Sequence, residues 1–243
     1  MGGRYKFVTM RTARLALFDG FTLDCGEKPL DVPKTLQRLV AFLGLWGQTT
    51  RAELVGALWP DVDERKAFGR LRTALWRLQQ LGAPVVSTQG ESLRLHEWVR
   101  VDVDELVHSA RLGSLDGCVA PRTGRLRELL PGWYDDWVLV ERERLRQLYL
   151  HTVEGLAADD LRGGRYADAL QLTLVALRAE PLRESPHRLL VRIHLAEGNY
   201  YEAINTYHAY RQLVGRELGV GPSPTMQQLF AEMMRQQPMA AAG

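Results

Sequence analysis

Between residues 65 and 80 the chain carries Arg65, Lys66, Arg70, Arg72 and Arg77 without a single Asp or Glu. On a helical wheel Phe68, Leu71, Ala74, Leu75 and Leu78 fall on one side. Lys66, Gly69, Thr73 and Gln80 fall on the other, flanked by Arg65, Arg72, Trp76 and Arg77. Such a helix has one stripe to bury and an acid-free basic face to offer. Arg, Lys, Thr and Gln side chains hydrogen-bond base edges in the DNA major groove, which admits one helix. Lys66, Arg72, Thr73, Trp76 and Arg77 are therefore the candidates for reading bases. Arg65 and Arg70 are better placed for phosphates, contacts that set register rather than sequence. A basic helical face is more often simply solvated, but an exposed Trp76 amid arginines calls for a covering surface, either DNA or a neighbouring domain.

Other chemistry finds little support. There is no phosphate-cradling Gly-rich loop, dinucleotide fingerprint or nucleophile elbow. Asp135-Asp136 reads as a helix cap and Glu141 with Glu143 as a solvated helix face, rather than as paired catalytic carboxylates. His187 and His194 share one helix and His208 lies on the next, too few convergent ligands for zinc. Tyr166, Tyr200, Tyr201, Tyr207 and Tyr210 read mostly as core. Cys25 and Cys118 belong to no metal or redox spacing and read as free thiols of a cytoplasmic protein. No catalytic residue, cofactor site or metal site is expected.

The elements that position the basic face are legible in punctuation. Leu15–Phe18 and the strand from Phe21 flank Asp19-Gly20, a hairpin signal, and a turn at Gly26-Glu27 leads to Leu30-Asp31-Val32. Leu36, Leu39, Val40 and Leu43 have helical spacing. Thr50-Arg51-Ala52-Glu53 is a capping-box pattern opening a short helix that Pro60 ends. The basic helix spans about Lys66 to Leu81, stopped by Gly82 and Pro84. Val85–Thr88 and Ser92–Leu95 flank Gln89-Gly90 as a further hairpin, bringing Thr88, Gln89 and Arg94 toward the adjacent backbone or minor groove. Small sheet, three helices and hairpin together make a winged helix-turn-helix. Asp102 to Leu112 reads as a linker helix.

The second half is helical and repetitive. Leu161, Tyr166, Ala169 and Leu170 recur 34 residues later as Leu195, Tyr200, Ala203 and Ile204, and Gly164-Arg165 recurs as Gly198-Asn199. This is the tetratricopeptide period, two helices with a small residue at their close approach. A long helix runs from Asp135-Asp136 to Leu161, and a second from Tyr166 to Glu180. A third is capped by Ser185 before Pro186, a fourth covers Tyr200–Leu218, and a last one starts near Ser223-Pro224. The tail from Pro238 reads as frayed.

Composition fits this picture. The 243 residues are 46% hydrophobic and 25% charged, the balance of a soluble globular chain. The net charge of +2 excludes nothing, since the basic block is local. The most apolar run, Leu39 to Gly47, is far short of the about 20 residues that span a bilayer, and no secretory leader opens the chain. A cytoplasmic, nucleoid-associated protein with no membrane partner is expected.

The residues also carry a resemblance. Leu71-Arg-Thr-Ala-Leu-Trp-Arg-Leu78 is similar to the recognition helix of the Streptomyces antibiotic regulatory protein (SARP) family, with Trp76 where that family usually has Ser. Leu58-Trp59-Pro60 resembles the close of its second helix. Leu130-Pro-Gly-Trp-Tyr-Asp-Asp-Trp-Val138, through Glu141-Arg-Glu-Arg-Leu145, resembles the opening of its bacterial transcriptional activation domain. Arg216-Glu-Leu-Gly-Val-Gly-Pro-Ser-Pro224 resembles that domain's close.

The resemblance implies an OmpR-like DNA-binding domain over residues 12–100 and an activation domain over 101–237. It implies a homodimer on direct repeats in double-stranded promoter DNA, recruitment of RNA polymerase holoenzyme with its sigma factor, and activation of an antibiotic biosynthetic cluster. It also implies a small form, with no receiver, ATPase or sensor module beyond residue 243. The fold expected overall is mainly α with small β elements, an N-terminal winged helix followed by an all-α tetratricopeptide-like domain. A protein-interaction scaffold, or a repressor using the same winged helix, are the alternatives.

Overall fold

The computed structural model describes residues 12–26, 28–81, 84–114 and 127–236. Cys118, the helix stop at Gly82 and the tail from Pro238 lie outside the described residues. The first elements are strands β1 (Ala13–Ala16), β2 (Thr22–Cys25) and β3 (Lys28–Pro29), helix α1 (Lys34–Trp46) and strand β4 (Thr49–Thr50). Helices α2 (Arg51–Leu58) and α3 (Glu64–Gln80) follow, then strands β5 (Val86–Gln89), β6 (Ser92–Leu95) and β7 (Val99–Val101). The remaining elements among the described residues are helices: α4 (Asp102–Arg111), α5 (Asp136–Arg162), α6 (Tyr166–Ala179), α7 (Glu184–Ala196), α8 (Tyr200–Leu218) and α9 (Pro224–Gln236). The chain is thus mainly helical with two small sheets. It divides into two compact units, residues 1–108 with 127–145, and residues 109–126 with 146–243.

In the first unit β1 pairs antiparallel with β2 and parallel with β7, giving the order β3-β2-β1-β7. A second sheet has the order β4-β6-β5, with β5 and β6 as the hairpin around Gly90. Leu15, Leu17, Leu36, Leu39, Leu43, Leu54, Leu58, Leu71 and Leu93 are fully buried and form its core. Gly44 of α1 packs closely here: a Cβ would lie 2.7 Å from Leu15 Cδ2, so the Leu15 side chain would have to shift. The expected capping box is present, with the Glu53 amide donating to Thr50 Oγ1 at 3.2 Å and the Thr50 amide to the Glu53 carboxylate at 2.8 Å. Two strands carried no expectation, β4 and β7. They are two and three residues long, and pairing with β6 and β1 creates them.

Two polar ties close this unit. The buried Asp102 carboxylate accepts from the Leu17 amide at 3.0 Å and from the Phe18 amide at 3.1 Å. The helix read as a linker therefore begins inside the unit. Residues 127–133 return to the same place: the Leu130 amide donates to Leu17 O at 2.8 Å, and the Asp19 amide to Glu128 O at 2.8 Å. Arg142 gathers this strap, donating to the carbonyls of Leu129 (2.8 Å), Leu130 (2.7 Å) and Trp133 (3.0 Å). Leu130 is fully buried with φ +43°, a conformation that the surrounding bonds impose. Glu141 corrects the reading of a solvated face, because it is 5% exposed. Trp137, Val138, Glu141 and Leu145 form the buried side of this end of α5. Arg144 grips the Glu141 carboxylate through Nε at 2.8 Å and Nη2 at 2.5 Å, so the buried charge is paired.

In the second unit the repeat is a repeat of backbone as well as of sequence. The Arg165 amide donates to Asp160 O at 2.9 Å and the Asn199 amide to His194 O at 2.8 Å, each closing a helix end whose glycine, Gly164 or Gly198, has positive φ. Ala169 and Ala203, at matching positions, are both fully buried. Ala157, Ala169, Leu189 and Ile193 form one core cluster. Val191, Ala203, Tyr207, Tyr210, Val214, Met226 and Met233 form another. The tyrosine reading needs correction: Tyr207 and Tyr210 are core, Tyr166 is half-buried, and Tyr200 and Tyr201 are 36% and 73% exposed. The exposed pair open α8, before its apolar face turns inward.

Ser185 is not the cap of α7. The helix starts at Glu184, with Arg183 at the cap position, and Ser185 lies within the first turn. Glu184 is employed elsewhere: its carboxylate accepts from the Ser223 amide at 2.8 Å, from the Ser223 hydroxyl and from Arg188 at 2.8 Å, tying the start of α9 to α7. Burial opposes the Glu184 charge, yet these donors outweigh it and hold the carboxyl below its ordinary value. Tyr210 is pushed up to about 12 by burial and by the Glu184 charge. A lowered carboxylate pKa gives stability that is present above the ordinary value and lost as pH falls through the lowered one. Glu184→Gln is expected to cost about 1 kcal/mol at pH 7 and to flatten the acid limb. Urea unfolding of both proteins at pH 7 and in mild acid measures this, and an unchanged acid limb contradicts the assignment.

Candidate nucleic-acid interface

Helix α3 is set by its cap and its stripe. The Asp63 carboxylate accepts from the Lys66 amide at 3.3 Å, so the helix starts at Glu64, two residues before the expected start. Ala67, Leu71, Ala74 and Leu78 are buried, while Phe68 and Leu75 are half-buried at the edges of the stripe. This packing turns the basic residues outward. Arg65, Lys66, Arg70, Arg72, Thr73 and Arg77 are all exposed, and Trp76 is 59% exposed. No carboxylate pairs with any of these cations among the described residues. Elsewhere in the chain arginines are paired, as in Arg183 with Glu154 at 2.5 Å and Arg188 with Glu184. Thr73 Oγ1 donates to Gly69 O at 3.0 Å, which leaves the hydroxyl oxygen free to accept.

The hairpin lies in the same unit. Ser87 pairs with Arg94, Thr88 with Leu93 and Gln89 with Ser92, around Gly90 at φ +58°. Thr88 and Gln89 are exposed near its tip. Arg94 is half-buried and lies 3.4 Å from Glu97, and Glu91 at the tip lies 3.9 Å from Arg51. The hairpin thus carries acids as well as bases, a mixture the reading of Thr88, Gln89 and Arg94 alone had missed. Alternation along a strand shows which side chains share a face, but not which acid a loop brings alongside.

Trp59, Thr35 and Gly69 also belong to this surface. They line a cavity of about 630 Å³ together with Lys66, Arg70 and Arg77. Thr35 sits 31 positions before Lys66 in the chain, so only the packing of α1 on α3 brings it there.

Other groups take structural places. His187 meets Pro181 O at 2.8 Å and packs on Tyr210 with ring centroids 4.4 Å apart, and burial holds its pKa below the usual imidazole value. Asp135 is taken by Arg38. Among the described residues no cluster of three or more His, Cys, Asp or Glu side chains could hold a metal ion, and no helix is long and apolar enough to cross a membrane.

Comparison with known proteins bears on the whole chain. A family model of the bacterial transcriptional activator domain matches residues 123–234. The regulatory protein AfsR of Streptomyces coelicolor is 28% identical over 254 residues, covering 98% of this chain and 25% of its own length. AfsR of Streptomyces griseus is 29% identical over 224 residues, covering 84% and 22%. The chain thus spans about a quarter of the length of these relatives. Among solved structures, Mycobacterium tuberculosis EmbR in complex with a low-affinity phosphopeptide shares the fold. Its TM-score is 0.73 at 17% identity, over 94% of this chain and 66% of that one. The activator-domain match falls on the segment that opens with the Arg142-gathered strap, and the similarity to AfsR extends through α3. Residues 123–234 thus match the bacterial transcriptional activator domain, and the chain is similar to the AfsR regulatory proteins.

Proposed function

We propose that this regulator binds DNA through a winged helix-turn-helix in which α2 and α3 are the helix pair and β5–β6 the wing. The observation that carries the reading is the exposed, unpaired basic face of α3. Five cations with no acidic partner repel one another at helical spacing, and a polyanion removes that cost. Lys66, Arg72, Thr73, Trp76 and Arg77 face base edges, while Arg65 and Arg70 reach phosphates. Thr88, Gln89 and Arg94 lie along the neighbouring backbone. Residues 12–100 form the DNA-binding domain and 101–237 the activation domain with its tetratricopeptide-like repeat.

Two copies on direct repeats raise affinity and selectivity beyond a single module, whose interface is roughly 600–1,000 Å². The protein acts in the cytoplasm, associated with the nucleoid. It activates promoters of a secondary-metabolite cluster by recruiting RNA polymerase holoenzyme through the sigma factor, and it has no catalytic activity of its own.

Purified holoenzyme transcribing a template with the bound repeat tests the proposal. Added protein is expected to raise the run-off product; a fall shows a repressor, and no change favours a scaffold. Sedimentation with a repeat-bearing duplex should give two protomers per site, and one protomer on a full site contradicts dimeric binding. Arg94→Ala is expected to weaken binding to every duplex alike, by about 1 kcal/mol, since a wing cation meets backbone. A loss confined to one base position, read by competition among single-base variants, contradicts the wing assignment.

A further inference from the structure

The cavity of about 630 Å³ beside α3 has the size of a small-molecule site. Its lining includes the buried Leu36 and Ala74 and the half-buried Trp59, which give it an apolar base. Lys66, Arg70 and Arg77 stand around it, exposed and without a carboxylate partner among the described residues. An apolar base under three like charges is complementary to an anion carried on an apolar body.

Gly69 supplies an independent observation. It lies in the interior of α3, where glycine is unfavourable, yet a Cβ there would meet nothing within 4 Å. Internal packing therefore does not require this glycine. Its place on the cavity wall keeps open a space that a side chain would fill.

We propose that this cavity binds a small organic anion, a carboxylate, sulfonate or phosphate ester on an aromatic or aliphatic body, and that such a ligand and DNA exclude one another. The exclusion rests on the DNA reading above, because Lys66, Arg70, Thr73 and Arg77 serve both. The ligand would switch activation off at the DNA-binding surface itself.

The test titrates the full chain with 8-anilinonaphthalene-1-sulfonate, an aromatic sulfonate whose fluorescence rises in an apolar site, with inorganic pyrophosphate as a purely ionic competitor. The wild type is expected to bind it saturably at one site per chain, and pyrophosphate to compete poorly. Gly69→Leu fills the cavity without removing charge, and Arg70→Gln with Arg77→Gln removes charge without filling it. Each is expected to weaken dye binding at least tenfold with an unchanged circular dichroism spectrum. Dye binding that is unaffected by Gly69→Leu overturns the proposal, as does binding that pyrophosphate displaces fully. Where a selected duplex binds, it should expel the dye, and a dye that stays bound overturns the exclusion. If no duplex binds but the dye follows the variants as described, the DNA reading fails and the ligand site stands.

Discussion

Arg72→Ala is expected to weaken binding to the selected duplex by about 1–3 kcal/mol, roughly 5- to 150-fold, and to relax base preference at one position. Arg72 lies midway along α3, between the buried Leu71 and the exposed Thr73, with no carboxylate to hold it. A side chain there can make the two parallel hydrogen bonds to a guanine edge that lysine cannot reproduce. Arg72→Lys should therefore recover phosphate-like affinity and little of the base preference. Competition of single-base variants against the labelled duplex reads both quantities. A mutant with wild-type affinity and preference contradicts the placement of this side of α3 in the groove.

The largest expected effect on folding belongs to Asp102→Ala. Among the described residues its carboxylate is the hydrogen-bond partner of the Leu17 and Phe18 amides, and both residues are buried. Leaving two buried donors unpaired costs about 1–3 kcal/mol each, so a loss of roughly 2–6 kcal/mol is expected in urea unfolding. Asp102→Asn keeps one acceptor and should lose about half of that.

Burial pushes the Asp102 pKa above its ordinary value, against the pull of the Phe18 and Leu17 amides and of Arg127. A raised pKa gives stability that is full below the unfolded value and lost as pH rises through the folded one. The first unit should accordingly lose a little stability as pH rises from about 4 toward neutrality, and Asp102→Asn should remove that slope. A slope that persists in Asp102→Asn assigns it to another group.

Some of this was legible from residue order alone. The bounds of α8, the capping box at Thr50 and the glycine-closed ends of α5 and α7 follow from local rules, because caps and turns are decided by residues within one helical turn. The outward basic face of α3 was legible for the same reason, since its buried stripe has a fixed period. What tertiary pairing creates was hidden. Strands β4 and β7 exist through their partners, Asp102 finds its donors 84 and 85 positions away, and the burial of Glu141 is set by tertiary packing on its face of α5. Ser185 shows a local rule overridden: Glu184 is engaged by Ser223, the residue before α9, and the helix begins at Glu184 instead. The cavity beside α3 was equally hidden, because Thr35 and Trp59 reach it only through packing.

Selection from a random duplex library, followed by a salt titration of the best binder, tests the central claim most directly. The account predicts an enriched direct repeat and a steep linear fall of log affinity with log salt, about −0.9 per phosphate neutralised. Removing Arg70 should make that slope shallower by about one unit for each protomer bound. No enriched sequence, or weak binding with a slope indifferent to Arg70, contradicts α3 as the recognition helix and moves the function to the repeat-bearing unit.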